Sequence, residues 1–210
     1  MTHVVLLGDS IFDNAAYIDG GRDVITHLRQ QIPPESHVTL KAIDGSVVDN
    51  VRTQTLDLPA DVTHLFVSAG GNDALLNADV LQMKVSLSAE VLDKISDVAS
   101  DFEFRYREML KSVLKLGKST TVCTIYYPRM PDPFIQKIAV AALATFNDVI
   151  IRQAFMAGIP LIDLRLVCKE DSDYANEIEP SEAGGKKIAK IIAHVIQEHD
   201  FGSGKTVIYF

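Results

Sequence analysis

"HVVLLGDSIFDN" occupies residues 3–14. An uninterrupted apolar run, Val4 to Leu7, ends in Gly8-Asp9-Ser10 and then turns polar. A strand apolar at every position cannot keep one face in water. It belongs in a parallel sheet with helices over both faces. The rest of the chain repeats this grammar. Short apolar segments at 37–43, 63–69, 119–127 and 160–167 alternate with helical patterns at 22–32, 47–57, 88–116, 133–157 and 181–198. Five strands separated by helices predict a three-layer α/β/α fold with a parallel flavodoxin-like sheet of order 2-1-3-4-5. No repeat, low-complexity stretch or linker divides it, so residues 1–210 are expected to form one domain. Ser88 with Glu90 reads as a cap for the longest helix. The apolar tail "GSGKTVIYF" is expected to add an edge strand or meet another subunit, and a homodimer is compatible with it.

Composition narrows the function classes. The 210 residues carry a net charge of −8, with 47% hydrophobic and 23% charged residues. An acidic chain whose basic residues are scattered, apart from Lys186, Lys187 and Lys190 on a late helix that read as a solvated face, argues against nucleic acid and anionic membranes. No contiguous run reaches the roughly 18 residues of a membrane span, and no signal peptide is expected, so the reading is cytoplasmic. Cys123 and Cys168 end strand-like segments and read as buried free thiols. "GSGKT" lacks the glycine that a phosphate loop needs five residues before Gly204, where His199 stands.

Open parallel sheets bind ligands beyond the carboxyl ends of their strands. Three such ends carry chemistry: Gly8-Asp9-Ser10, Asp44-Gly45-Ser46 and Gly70-Gly71-Asn72-Asp73. A serine at a strand-to-helix turn can expose its hydroxyl to a substrate. An acyl-transfer oxyanion needs several preorganised N–H donors. The Ser10 and Gly45 backbone amides and the Asn72 side chain can supply three.

"GDSIFDN", "DGSVVDNV" and "GGNDALL" resemble blocks I, II and III of the SGNH (GDSL-like) hydrolases, in order and spacing. The resemblance covers nearly the whole chain. It implies a flavodoxin-like three-layer fold and esterase, lipase or acyltransferase chemistry. It also implies Ser10 as nucleophile and oxyanion donor, with Gly45 and Asn72 as the other donors.

The family's last block, Asp-x-x-His, is altered. "PSEAGGKKIA" at 180–189 matches the family's segment after the histidine, which puts Glu179 at the histidine position and Asn176 at the aspartate position. His3, His37 and His64 start strands, at the wrong end of the sheet, and His27, His194 and His199 fall in helices or the tail. Three alternatives stay open. Glu179 acts as a weak base, giving low activity best on activated aryl acetates. Alternatively, the fold is a binding protein with vestigial chemistry. Or Glu179 with Asp173, Asp171 or Asp9 holds a divalent cation. The reading carried forward is a carboxylic-ester hydrolase of a small-molecule ester, with no cofactor or metal. Asp9, Arg129 and Asn176 are expected to border the substrate. An Arg129–Glu179 pair would hold the Glu179 carboxyl low and weaken it as a base. Asp13 is expected to cap the first helix or orient Ser10. The long segment 76–118 is expected to form a lid, with Leu75, Leu76, Leu81 and Met83 as an apolar wall.

Overall fold

The computed structural model describes all 210 residues. β1 (His3–Gly8) lies inside a parallel sheet of order β2-β1-β3-β4-β5-β6, flanked by β2 (His37–Leu40) and β3 (His64–Ser68). β4 (Ser119–Cys123), β5 (Leu161–Ile162) and β6 (Ile208–Tyr209) continue it to the far edge. Alternate β1 side chains enter opposite cores, as strand geometry requires. Val4 and Leu6 meet α1 (Val24–Gln31) and α7 (Glu182–Glu198), while Val5 and Leu7 meet α2 (Val48–Gln54), α4 (Ser88–Leu114) and α5 (Pro133–Ala157). The unbroken apolar run thus reflects burial on both faces.

The expected five strands become six. The tail adds β6, whose backbone pairs with β5 and so completes an otherwise unpaired edge. The fourth strand stops at Cys123, and residues beyond it leave the sheet to border the site. The expected fifth strand shrinks to two residues because Asp163 caps a short helix, α6 (Leu164–Val167), accepting the Arg165 N–H. Ser88 begins α4 instead of capping it; the Glu90 carboxylate accepts the Leu87 N–H at the cap position. Asp23 caps α1 by accepting from Thr26, and Ser181 caps α7 by accepting from Gly184.

α5 corrects one expectation. Its 25 residues include an 18-residue window of mean hydropathy 1.5, enough by length and composition to cross a membrane. Polar residues interrupt it, which hides it from a search for contiguous apolar runs. It packs beside α4 and β4, and less than a quarter of that window is buried.

The end of β1 is held tightly. Gly8 has φ +124°, and a Cβ there would lie 1.7 Å from the Ser68 carbonyl oxygen of β3. The Gln54 side chain of α2 brackets the same peptide, accepting the Gly8 N–H at 2.7 Å and donating to its carbonyl at 2.8 Å. Only glycine lets β1 turn while β3 stays this close. Gly8→Ala is therefore expected to destabilise the fold by about 3 kcal/mol or more, read as a lowered urea midpoint. An unchanged midpoint would refute this account of the turn.

Candidate active site

The chain runs from β1 outward to β2 and returns to β3 on the other side. This reversal opens a crevice at the carboxyl ends of the strands. Ser10 follows β1, Gly45 follows β2, and Asn72 stands in α3 (Gly71–Leu76) after β3. The three expected segments converge there through side chains of their own. Asp13 accepts the Asp44 N–H at 2.9 Å, and Tyr17 donates to the Asp44 carboxylate at 2.6 Å. The Asn72 amide donates to the Ser46 carbonyl at 2.9 Å. Asp13 thus joins the first segment to the second, and neither caps α1 nor touches Ser10.

Ser10 is buried, and its hydroxyl donates to Glu179 Oε1 at 3.1 Å. Their 169-residue separation in sequence is closed by a network that fixes the Glu179 loop. Asn176 Oδ1 accepts the N–H groups of Ile178 and Glu179 at 2.9 and 3.0 Å. The Ala175 N–H donates to the Glu179 carbonyl at 2.8 Å, and Tyr126 donates to the Ile178 carbonyl. Fully buried Asn14 donates to the Pro180 carbonyl at 3.1 Å and accepts the Val24 N–H at 3.0 Å. Gly184 lets α7 approach this loop, since a Cβ there would lie 2.1 Å from the Asp173 carbonyl oxygen.

The electrostatics follow from burial. Glu179 is 5% exposed, and its carboxyl is pushed up to about 7. Desolvation is the main cause; the Ser10 hydrogen bond opposes it and the Asp44 charge adds to it. Its other oxygen, Oε2, has no hydrogen-bond partner and the residue lines a cavity of about 320 Å³. Asp9, also buried on that cavity, is pushed up to about 8 by desolvation. The Ile11 N–H it accepts opposes this shift, and the nearby Glu179 charge adds to it. At neutral pH Asp9 is thus mostly protonated. No Lys, Arg or His lines this cavity.

Arg129 does not fulfil its expectation. Its guanidinium lies 3.1 Å from Asp171, donates to the Lys169 carbonyl and stacks over Tyr174, 4.9 Å from the ring centroid. Arg129 is therefore not paired with Glu179 and does not line the cavity. Asn176 also lies outside the lining; it holds the loop through backbone groups alone. Of the acidic residues considered for a cation, Asp9 shares the cavity with Glu179, and Asp171 and Asp173 do not. Asp173 is buried against Lys187 at 2.7 Å, and Asp171 faces Arg129. No group of three or more His, Cys, Asp or Glu side chains is placed to hold a metal ion.

The Ser10 and Gly45 backbone N–H groups have no backbone acceptor, and Gly45 has φ +77° in open space. Asn72 lines the cavity beside Ser10. Segment 76–118 forms one cavity wall, with Leu81 and neighbouring Leu75 facing inward, but Leu76 and Met83 are outside the lining.

Two supporting residues escaped sequence reasoning. Asp73, 1% exposed, accepts the Val48 N–H at 3.0 Å and pairs with Arg105 at 2.9 Å, tying α2, α3 and α4 together. Gln54, the second, holds the turn before Ser10. Asp73 stood visible in the third segment as an acidic neighbour of Asn72; nothing local in the sequence pointed to Gln54.

The fold is shared with solved hydrolases. An extracellular lipase from Streptomyces rimosus aligns at 16% identity with TM-score 0.65, covering 92% of this chain and 99% of its own. A phospholipase A1 from Streptomyces albidoflavus aligns at 18% identity with TM-score 0.60, covering 93% and 99%. An acetyl-xylooligosaccharide esterase from Geobacillus, solved as a mutant, aligns at 16% identity with TM-score 0.62, covering 95% of each chain. No curated protein sequence matches. The sequence profile of GDSL-like lipases and acylhydrolases matches residues 6–187, which spans the segments carrying Ser10, Gly45, Asn72 and Glu179: the chain belongs to the GDSL-like lipase/acylhydrolase family.

Proposed function

We propose that this protein is a serine carboxylic-ester hydrolase in which Glu179 takes the place of the usual histidine. The observation that carries the reading is the buried Ser10–Glu179 hydrogen bond at 3.1 Å, on a cavity with no cationic side chain. A general base works best when its pKa lies near the operating pH. An ordinary glutamate sits near 4.5, whereas burial brings Glu179 to about 7. The expected conflict with Arg129 does not arise, because Asp171 and the Lys169 carbonyl engage that guanidinium.

The chemistry needs only this chain's groups and water. Ser10 Oγ attacks the ester carbonyl carbon as its proton passes to Glu179 Oε1. The carbonyl oxygen becomes the oxyanion, stabilised by the Ser10 and Gly45 N–H groups and the Asn72 amide. Collapse expels the alkoxide, which takes the proton back from Glu179 and leaves an acyl-Ser10 ester. Glu179 then takes a proton from a water that attacks this ester; collapse expels the Ser10 alkoxide, which recovers that proton from Glu179, and releases the acid. One carboxyl accepts and returns the proton because both its forms are populated near pH 7. The second Glu179 oxygen, Oε2, has no hydrogen-bond partner, so no side chain orients the base from behind. Asn176 fixes the loop backbone instead. A less directed base gives a slower enzyme than an intact Ser-His-Asp relay.

Ser10→Ala is expected to reduce p-nitrophenyl ester hydrolysis to background. Glu179→Gln is expected to lower kcat/KM by about 10²- to 10⁴-fold. Asn72→Ala is expected to cost about 10²- to 10³-fold in kcat. Native kcat/KM should rise with pH and level off above about 7, as Glu179 becomes the carboxylate. Ser10→Ala matching native would overturn the nucleophile. A pH profile unmoved by Glu179→Gln would overturn the base.

Burial of Asp9 has a stability consequence with a definite sign. Its pKa is raised in the folded protein from 3.8 to about 8. Its contribution is fully present below about pH 4 and is lost as pH rises toward 8, because the unfolded chain releases the proton first. Asp9→Asn keeps an acceptor for the Ile11 N–H but cannot ionise. Its urea midpoint should gain on the native one between about pH 5 and pH 8; a constant difference would show that Asp9 ionises normally.

A further inference from the structure

The cavity beside Ser10 has two unlike ends. Asp9, Ser10, Asn72 and Glu179 stand at one. The remainder runs between α4 and the N-terminal half of α5 and is walled by such residues as Leu81, Ile95, Val98, Ile138, Ala142 and Phe146. Asp9 and Glu179 are the only charged residues in the lining. α5 sharpens the contrast. α5 is rich in apolar residues, yet less than a quarter of its apolar window is buried. Phe134 and Ile135, 66% and 41% exposed, lie in its first turn and line the cavity. The face of α5 that enters the core through Phe146, Val149 and Ile150 continues toward the helix N-terminus as Ile138, Ala139 and Ala142, and there it borders a trough that begins at the reactive serine.

We propose that this trough holds the acyl chain of the ester, and that the preferred chain is of medium length, about eight to twelve carbons. The inference rests on the hydrolase reading and adds its substrate class. It departs from the sequence-based expectation of acetate esters. Capacity sets the length. A volume of about 320 Å³ takes about ten water-sized groups at roughly 30 Å³ each. An acetyl group would leave most of that apolar surface in water, whereas a decanoyl chain covers it. The ester then lies where the polar end begins, with its carbonyl toward Asn72 and its carbonyl carbon at Ser10. The Leu75, Phe134 and Ile135 side chains on the rim give the chain an apolar entry.

The test is a chain-length series of p-nitrophenyl esters from acetate to hexadecanoate, kept below their aggregation limits. Full burial of each methylene is worth about fourfold in binding. We expect kcat/KM to rise at least 100-fold from acetate to decanoate and to fall at hexadecanoate. Ala142→Phe fills the trough and should lower the decanoate-to-acetate ratio at least tenfold; Ile138→Ala enlarges it and should move the optimum to longer chains. A readout independent of catalysis is calorimetric titration of Ser10→Ala with decanamide. Binding should show a negative heat-capacity change and weaken at least tenfold when Ala142→Phe is added. A flat series with no decanamide binding overturns the acyl trough, while Ser10-dependent acetate hydrolysis keeps the hydrolase reading. Decanamide binding sensitive to Ala142→Phe, without ester hydrolysis, keeps the trough and overturns the hydrolase reading.

Discussion

A carboxyl group buried beside a serine hydroxyl, with no cation lining their shared cavity, is the constraint on which this site depends. In water the Glu179 carboxyl would be ionised at neutral pH. Burial disfavours its charged form, and no arginine or lysine restores it. The same desolvation raises Asp9, so the pocket does not hold two full negative charges at neutral pH. A histidine achieves this poise by its intrinsic chemistry. Here a carboxylate reaches it through its surroundings.

Such tuning requires positional control, and the backbone around the site supplies it. Gly8 is pressed against β3 and bracketed by Gln54, which sets the turn that presents Ser10. Asn14 reaches from the serine turn to the Pro180 carbonyl, holding the Glu179 loop to the same frame. Asp13, Asn72 and Asp73 tie the Gly45 loop to the serine turn, to α3 and, through Arg105, to α4. Each of these polar side chains satisfies backbone groups of the loops or helices that it joins. Asn176 works in the same way, through the Ile178 and Glu179 N–H groups of its own loop.

The apolar side of the crevice has a different origin. One face of α5 has two apolar partners along its length, the trough beside its N-terminal half and the core beside its C-terminal half, with Phe146 shared between them. Its hydropathy resembles a membrane span in composition, and its location explains why. The trough sits where segment 76–118 turns back over the end of β3, so the chain length beyond a minimal connection is used to wall the site.

Much of the fold was legible in the sequence, because burial on both faces leaves uninterrupted apolar strands and helices leave a 3.6-residue period. Those local patterns determined the α/β class, the strand order through β5, and the strand ends carrying Ser10, Gly45 and Asn72; the family resemblance pointed to Glu179. The tail strand β6 was one of two sequence expectations, decided by the open edge of β5. The tertiary structure alone decided where Arg129 points, that Asp13 joins two loops, that Gln54 and Asn14 brace the site, and that the cavity is an apolar trough. These outcomes depend on which groups meet across 10 to 169 residues of chain. Local residue preference carries no record of such meetings, and the Glu179 pKa depends on them: it reports how much water the folded chain excludes.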